Sequence, residues 1–258
     1  MTSFTAWTPD AAAARIAVPG EHDDKYSRGV LGVITGSAMY PGAAVLGVEA
    51  AAHTGVGMIR YLGEARELVL QRRPEVVTAD GRVQAWLLGS GMEAPDERVR
   101  AAVRQEVPVV LDGGAIGLHA SAAGPVVITP HHGELATLLG VSRAEVSADP
   151  AGFARRTADE LGITVLLKGH TTYAAGPGVS LTVTHAPTWL ATAGAGDALA
   201  GILGALVATN PSAPLAELAA TAALLHGLAA ERASGGGPLT ILGLCAALPA
   251  TIAGLLAG

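Results

Sequence analysis

Short, largely apolar runs recur along this 258-residue chain, and they constrain its fold more than any other feature. They fall at 30–35, 57–62, 85–89, 107–112, 125–129 and 163–168. A brief apolar run without in/out alternation marks a strand covered on both faces, as in a parallel sheet. Helix-like segments separate several of these runs. One opens at Pro41-Gly42-Ala43-Ala44 and reaches His53, and others fall at 94–105 and 153–161. Ser142 and Glu145 have the spacing of a capping box, which opens a further helix. Strands alternating with helices predict an α/β fold with a doubly wound, mostly parallel central sheet flanked by helices.

Toward the end the pattern changes. The runs 171–175 and 179–184 flank Gly176-Pro177-Gly178 and predict a hairpin. Beyond Asp197 the chain reads as helical over 198–209, 215–234 and 242–256, with Pro249 expected to kink or split the last segment. At about 150 residues per domain the length predicts a single domain over 1–258, with residues 1–24 as an N-terminal extension.

Composition removes several function classes. Half the residues are hydrophobic and 15% are charged, so disorder is not expected. The formal net charge is −6 and no Lys/Arg cluster is present, so a phosphate-backbone footprint is missing. Three Trp, four Tyr and two Phe are too few for a base-stacking platform, which leaves no nucleic-acid partner expected. The single Cys245 cannot form an intramolecular disulfide and fits a reducing compartment. The opening MTSFTAWTPD lacks a basic segment followed by an apolar one, so no secretory signal is read. The apolar stretch 241–258 is rich in Ala and Gly and broken by Pro249, so it reads as a buried terminal helix and not a membrane span. A cytoplasmic protein is the expectation.

Three segments carry chemistry. In 191–201, Gly194 and Gly196 allow backbone N–H groups to converge just before a helix, which makes an anion site from backbone dipoles. Asp197 sits at its mouth, where a base that deprotonates a hydroxyl attacking a phosphoryl group would stand. Spacing alone serves equally an N-cap Asp on a tightly packed helix. The second segment, Thr129-Pro130-His131-His132-Gly133-Glu134, follows an apolar strand and would lie where ligands gather in a doubly wound sheet. Adjacent histidines point in different directions, so His131 and His132 do not suggest a shared metal. On spacing alone the segment reads more readily as a loop with Glu134 in a first helical turn. In the third, Lys168-Gly169-His170-Thr171-Thr172 leaves a buried strand, and a Lys there suits a nucleotide phosphate or ribose. A solvated Lys in a β-turn reads the same way. Two glycine loops, 36–43 and 89–91, signal little more than strand-to-helix turns. No Walker, Rossmann or serine-elbow motif is present.

In this order, the segments resemble the ADP/ATP-dependent (S)-NAD(P)H-hydrate dehydratase family of the ribokinase-like superfamily. The likeness runs from about Lys25 to the C-terminus. It rests on Gly36-Ser37 with Pro41-Gly42-Ala43, on Thr129 to Glu134, on Leu167-Lys168-Gly169 and on 191–201. The resemblance implies a ribokinase-like fold and repair of hydrated nicotinamide nucleotides. The S-epimer of NADHX or NADPHX would be dehydrated at the expense of ADP or ATP, by phosphorylation of the ring hydroxyl and elimination of phosphate. It implies that Gly194 and Gly196 cradle the transferring phosphoryl group and that Asp197 is the base. Ala43, Gly91, His131 and Asp197 would contact the hydrated dinucleotide. Lys168, Gly169, His170, Thr171, Thr172 and Gly196 would hold ADP or AMP, and Glu134 would organise Mg²⁺ through water. It further implies a homotetramer and a separate epimerase for the other stereoisomer.

The chain departs from the family pattern in three places. Where an Asp-Ala-Asp-Ala-Leu segment is usual, it has Asp112-Gly113-Gly114-Ala115-Ile116, so the second acid is absent. His132 stands where Pro is usual. The residues His185 to Trp189 before the glycine motif are unusual and are expected to shift nucleotide preference. A kinase for a hydroxymethylpyrimidine or hydroxyethylthiazole alcohol has the same catalytic needs and is the alternative enzyme reading. A non-catalytic nucleotide-binding module could dispense with Asp197.

Overall fold

The computed structural model describes residues 3–258. Its nine strands are β1 (Thr5–Ala6), β2 (Val30–Ile34), β3 (Met58–Tyr61), β4 (Ala85–Leu88), β5 (Val109–Leu111), β6 (Val126–Ile128), β7 (Thr164–Leu167), β8 (Thr172–Gly176) and β9 (Val179–Val183). They form one sheet in the order β1-β9-β8-β7-β6-β5-β4-β2-β3. Pairing is parallel except at β7/β8 and β8/β9. These last two make the expected hairpin, closed through Pro177 and Gly178.

The helices are α1 (Pro9–Ala13), α2 (Pro41–Thr54), α3 (Arg66–Arg72), α4 (Glu97–Val103), α5 (His132–Leu139), α6 (Arg143–Ala148), α7 (Pro150–Leu161), α8 (Ala195–Thr209), α9 (Leu215–Ser234) and α10 (Ile241–Ala257). Alternation along each strand sends its side chains to two separate cores. Leu31, Val33, Leu87, Val110 and Leu166 pack with α2, α8, α9 and α10 on one face. Val30, Ile34, Trp86, Leu88 and Leu111 pack with α4, α5, α6 and α7 on the other. Both faces of β2, β4 and β5 are thus buried, which is why their sequences read as unbroken apolar runs. The doubly wound fold is the expected one.

Two expectations change in detail. The N-terminal extension supplies β1, which pairs with β9 at the sheet edge, and α1, whose Ala12 is buried in the core. Trp7 anchors the segment through Nε1, which donates to Thr221 Oγ1 at 3.1 Å. A two-residue strand has no periodicity to read. Pro249 lies within one continuous α10 and does not split it. No described helix is long and apolar enough to cross a membrane.

The packing of α2 on α8 places the site. A Cβ on Gly201 would overlap the backbone of Gly47, so only glycine lets the two helices approach this closely. That contact sets the start of α8 beside the start of α2, above the carboxyl ends of the strands.

Candidate active site

The carboxyl ends of five strands meet at one rim. β2 runs into Gly36, β4 into 89–91, β5 into Asp112, β6 into 129–134 and β7 into Lys168. Winding reverses between β2 and β4, the kind of point where open α/β sheets bind ligands. There the Gly36 N–H donates to the Ser90 carbonyl at 2.7 Å. Gly91 lies directly against Ala43 at the start of α2. The two glycine loops that each signalled little thus form a single wall.

Lys168 is the centre of the rim. Its backbone N–H donates to the Pro130 carbonyl at 2.8 Å, which ties the end of β7 to the end of β6. Nζ donates to Asp112 Oδ1 at 2.8 Å and lies 3.8 Å from Glu134 Oε2. Asp112 is buried and also accepts from Thr129 Oγ1 at 2.6 Å. Burial opposes both charges. Even so, the Lys168 ammonium and the donors around Asp112 hold that carboxyl below the usual range. The carboxylates of Asp112 and Glu134 in turn hold the Lys168 ammonium above its usual range, against desolvation. Removing one member of such a pair leaves the other charge buried and alone.

The glycine loop faces the same point. α8 begins at Ala195, earlier than its spacing suggests, so Gly194 is the N-cap and Asp197 lies in the first turn. The N-cap reading of Asp197 therefore fails. Gly194 has φ 89°, a left-handed conformation that a Cβ disfavours. No side chain caps α8, and among the described residues the N–H groups of Gly196 and Asp197 make no backbone bond. They are open to an anion. A Cβ on Gly196 would lie 3.3 Å from Lys168 Nζ, so the ammonium addresses this loop too. Burial, followed by the nearby Asp112 charge, pushes the Asp197 carboxyl up to about 6, with Lys168 pulling the other way. Such a carboxylate is ionised at neutral pH yet basic enough to accept a proton in a reaction.

The start of α5 is built differently. His131 is its N-cap, and Nδ1 accepts from the N–H groups of Gly133 and Glu134 at 3.0 Å each. Glu134 Oε2 accepts from the His131 N–H at 2.7 Å, which completes a reciprocal capping box. His132 turns away to Ser147 Oγ at 2.9 Å, so the two histidines diverge. Among the described residues no three His, Cys, Asp or Glu side chains converge into a metal cage.

Two clefts open at the rim. One, of about 510 Å³, has Lys168, Gly169, His170, Thr172 and Gly196 on its walls, with Val183, Leu190 and Leu199 as apolar lining. Thr171 is not on that wall. His185, Ala186, Pro187 and Thr188, from the unusual segment, are. The other cleft, of about 490 Å³, is lined by His131, Glu134, Gly113 and Ile116. Sequence reasoning kept Asp112 without a role and passed over Thr129 as a partner. The signal for both was available, since each ends an apolar run where ligand-binding groups collect. His226, which also lines the first cleft, carries no such signal inside a long helix.

Comparison with known proteins shows what this chain is similar to. The sequence profile described as NAD(P)H-hydrate dehydratase matches residues 31–240. The bifunctional NAD(P)H-hydrate repair enzyme Nnr of Mycobacterium tuberculosis is 44% identical over 214 residues, which cover 77% of this chain and 45% of that protein. The chain therefore spans about half the length of that relative. The ADP-dependent (S)-NAD(P)H-hydrate dehydratase of Neisseria meningitidis is 35% identical, over 82% of this chain and 79% of the relative. The crystal structure of the ADP/ATP-dependent NAD(P)H-hydrate dehydratase of Bacillus subtilis, co-crystallised with ATP/Mg²⁺, superposes with a TM-score of 0.89 at 25% identity. It covers 99% of this chain and 100% of that one. The fold is ribokinase-like. By its sequence and its architecture, the chain belongs to the NAD(P)H-hydrate dehydratase family.

Proposed function

We propose that this chain dehydrates the S-epimer of NADHX or NADPHX to NADH or NADPH, using ADP or ATP. The observation that carries the reading is the convergence on one point of the uncapped start of α8, the Lys168 ammonium and the Asp197 carboxylate at about 6. The nucleotide occupies the cleft of Lys168, Gly169, His170, Thr172 and Gly196, with Thr171 in the bend between His170 and Thr172. Its terminal phosphoryl group meets the N–H groups at Gly196 and Asp197 and the charge of Lys168. The hydrated ring enters past Ala43, Gly91 and His131.

Asp197 accepts the proton of the ring hydroxyl as its oxygen attacks phosphorus, and the bond from phosphorus to the nucleotide breaks. The hydroxyl thereby becomes a phosphate ester, a far better leaving group. The ring nitrogen's lone pair then expels phosphate, and loss of a proton from the neighbouring carbon restores the dihydropyridine. Asp112 and Thr129 hold Lys168 in place throughout.

The donor set suits a hydrated divalent cation better than a caged one. Glu134 commits Oε2 to its capping box, and no cage is present among the described residues. Glu134 would hold Mg²⁺ through water against the nucleotide phosphates, where the ion supplies charge neutralisation. The reading includes one catalytic domain over 1–258, a homotetramer in the cytoplasm and a separate epimerase that supplies the S-epimer.

The test is recovery of dihydronicotinamide absorbance from NADH hydrate with ADP, with ATP and with neither. Nucleotide-dependent recovery with matching phosphate release is expected. Confirmed nucleotide binding without recovery would move the reading to a small-alcohol kinase on the same fold.

A further inference from the structure

The cleft assigned above to the nucleotide holds one buried polar side chain that neither the resemblance nor the proposed chemistry uses. His226 lies in the middle of α9, one turn beyond Ala223, and both line the cleft. The other polar groups there stand at the mouth. His170, His185 and Thr188 are exposed, and Lys168 and Thr172 partly so. His226 is only 7% exposed, and its Nε2 is buried without a hydrogen-bond partner among the described residues. A buried ring nitrogen left unpaired is costly, and native proteins rarely leave one so without a use.

We propose that the His226 imidazole reads the nucleoside part of the bound adenine nucleotide, accepting a hydrogen bond through its unprotonated ring nitrogen from the base amine or from a ribose hydroxyl. The inference rests on the nucleotide reading of this cleft and deepens it.

The chemistry selects that part of the ligand. Burial, with the nearby Lys168 charge, pushes the His226 ring down to about 4, so it is neutral at pH 7 and brings no charge to a phosphate. The phosphates already have the Lys168 ammonium and the open N–H groups of α8. A neutral imidazole keeps one ring nitrogen as a lone pair. The same cleft is walled by the apolar Leu199, Ala223 and Val183. A flat base or a sugar edge fits there, and its donor pairs with the one acceptor on that wall. A site that hydrogen-bonds a ligand group in this way rejects analogues lacking it, because the buried partner is then left bare.

The experiment is calorimetric binding to the full chain, which does not depend on turnover. ADP, IDP, 2′-deoxy-ADP, 3′-deoxy-ADP and inorganic pyrophosphate are titrated into wild type, His226→Phe and His226→Gln. Wild type is expected to bind ADP roughly tenfold more tightly than the one analogue that lacks the paired donor. His226→Phe should bind ADP about tenfold more weakly, lose that discrimination and keep its pyrophosphate affinity. His226→Gln, which retains an acceptor, should recover part of it. A folded Phe variant that binds ADP like wild type overturns the inference, as does an equal loss for pyrophosphate. If both variants fail to fold, wild type decides alone, and equal affinity for ADP and all three analogues overturns it. Absence of ADP binding by wild type would remove the nucleotide reading and this inference together. ADP binding with no role for His226 would remove only the latter.

Discussion

The starts of α5 and α8 lie at the same rim, and both face Lys168, yet one is closed and the other open. At α5 the His131 side chain occupies two first-turn N–H groups, and Glu134 returns the bond to the backbone. At α8 the cap is Gly194, which has no side chain to give, and the next N–H groups stay unfilled. Helix dipoles alone would make both ends attractive to an anion. The difference lies in donor availability, since only an end with unfilled N–H groups can take up an anion. The closed end holds a carboxylate and an imidazole in place, and the open end is the one proposed to bind the phosphoryl group.

The comparison breaks most sharply at Asp197. Asp197→Asn should cut turnover by about 10²–10⁴-fold while ADP still binds, because the open N–H groups remain. Steady-state rates beside calorimetry check this, and wild-type-like turnover removes Asp197 as the base.

Lys168→Met is the next largest change. It takes the cation from the open end and leaves Asp112 buried without its partner, at a cost of about 3–5 kcal/mol in stability. Denaturant unfolding should show that loss, and ADP affinity should fall with it. The closed α5 end should contribute no compensating site.

A pH profile sharpens the picture further. Asp197 must be ionised to accept a proton, so the rate should rise with pH through about 6 and level off above it. Asp112→Asn removes a like charge that helps raise Asp197, so the limb should move to lower pH. A limb that stays in place would show that Asp112 acts only through the position of Lys168.

The smallest effect is expected at the closed end. His131→Ala should cost about 1 kcal/mol through loss of the cap, and His131→Asn should restore that stability because Asn is a strong N-cap. Both should raise the KM for the hydrate under the proposed reading, in which His131 touches it. Thermal melts and KM measured on the same variants separate the two roles.

Much of this was legible in order along the chain. The apolar runs marked β2 to β7 because each is covered on both faces, and the hairpin declared itself through Pro177 and Gly178. The capping box at Ser142 and Glu145 formed as its spacing implied. Asp197, Lys168, His131 and Glu134 stood out from residue type and place in the motif. The start of α8 was misjudged, because a glycine N-cap has no side-chain signature. β1 was missed because a two-residue strand owes its existence to the edge of β9.

The sequence by itself determined the layered fold and which side chains gather at the strand ends, because periodicity and strand polarity are local properties. Only the tertiary structure decided how those groups act on one another. The pairing of Asp112 with Lys168 spans fifty-six positions, and the climb of Asp197 to about 6 depends on that pair and on burial. His226 became a candidate contact only when α9 packed against the start of α8 and buried its ring. Charge interaction and desolvation depend on distance and surroundings, and neither is written in residue order.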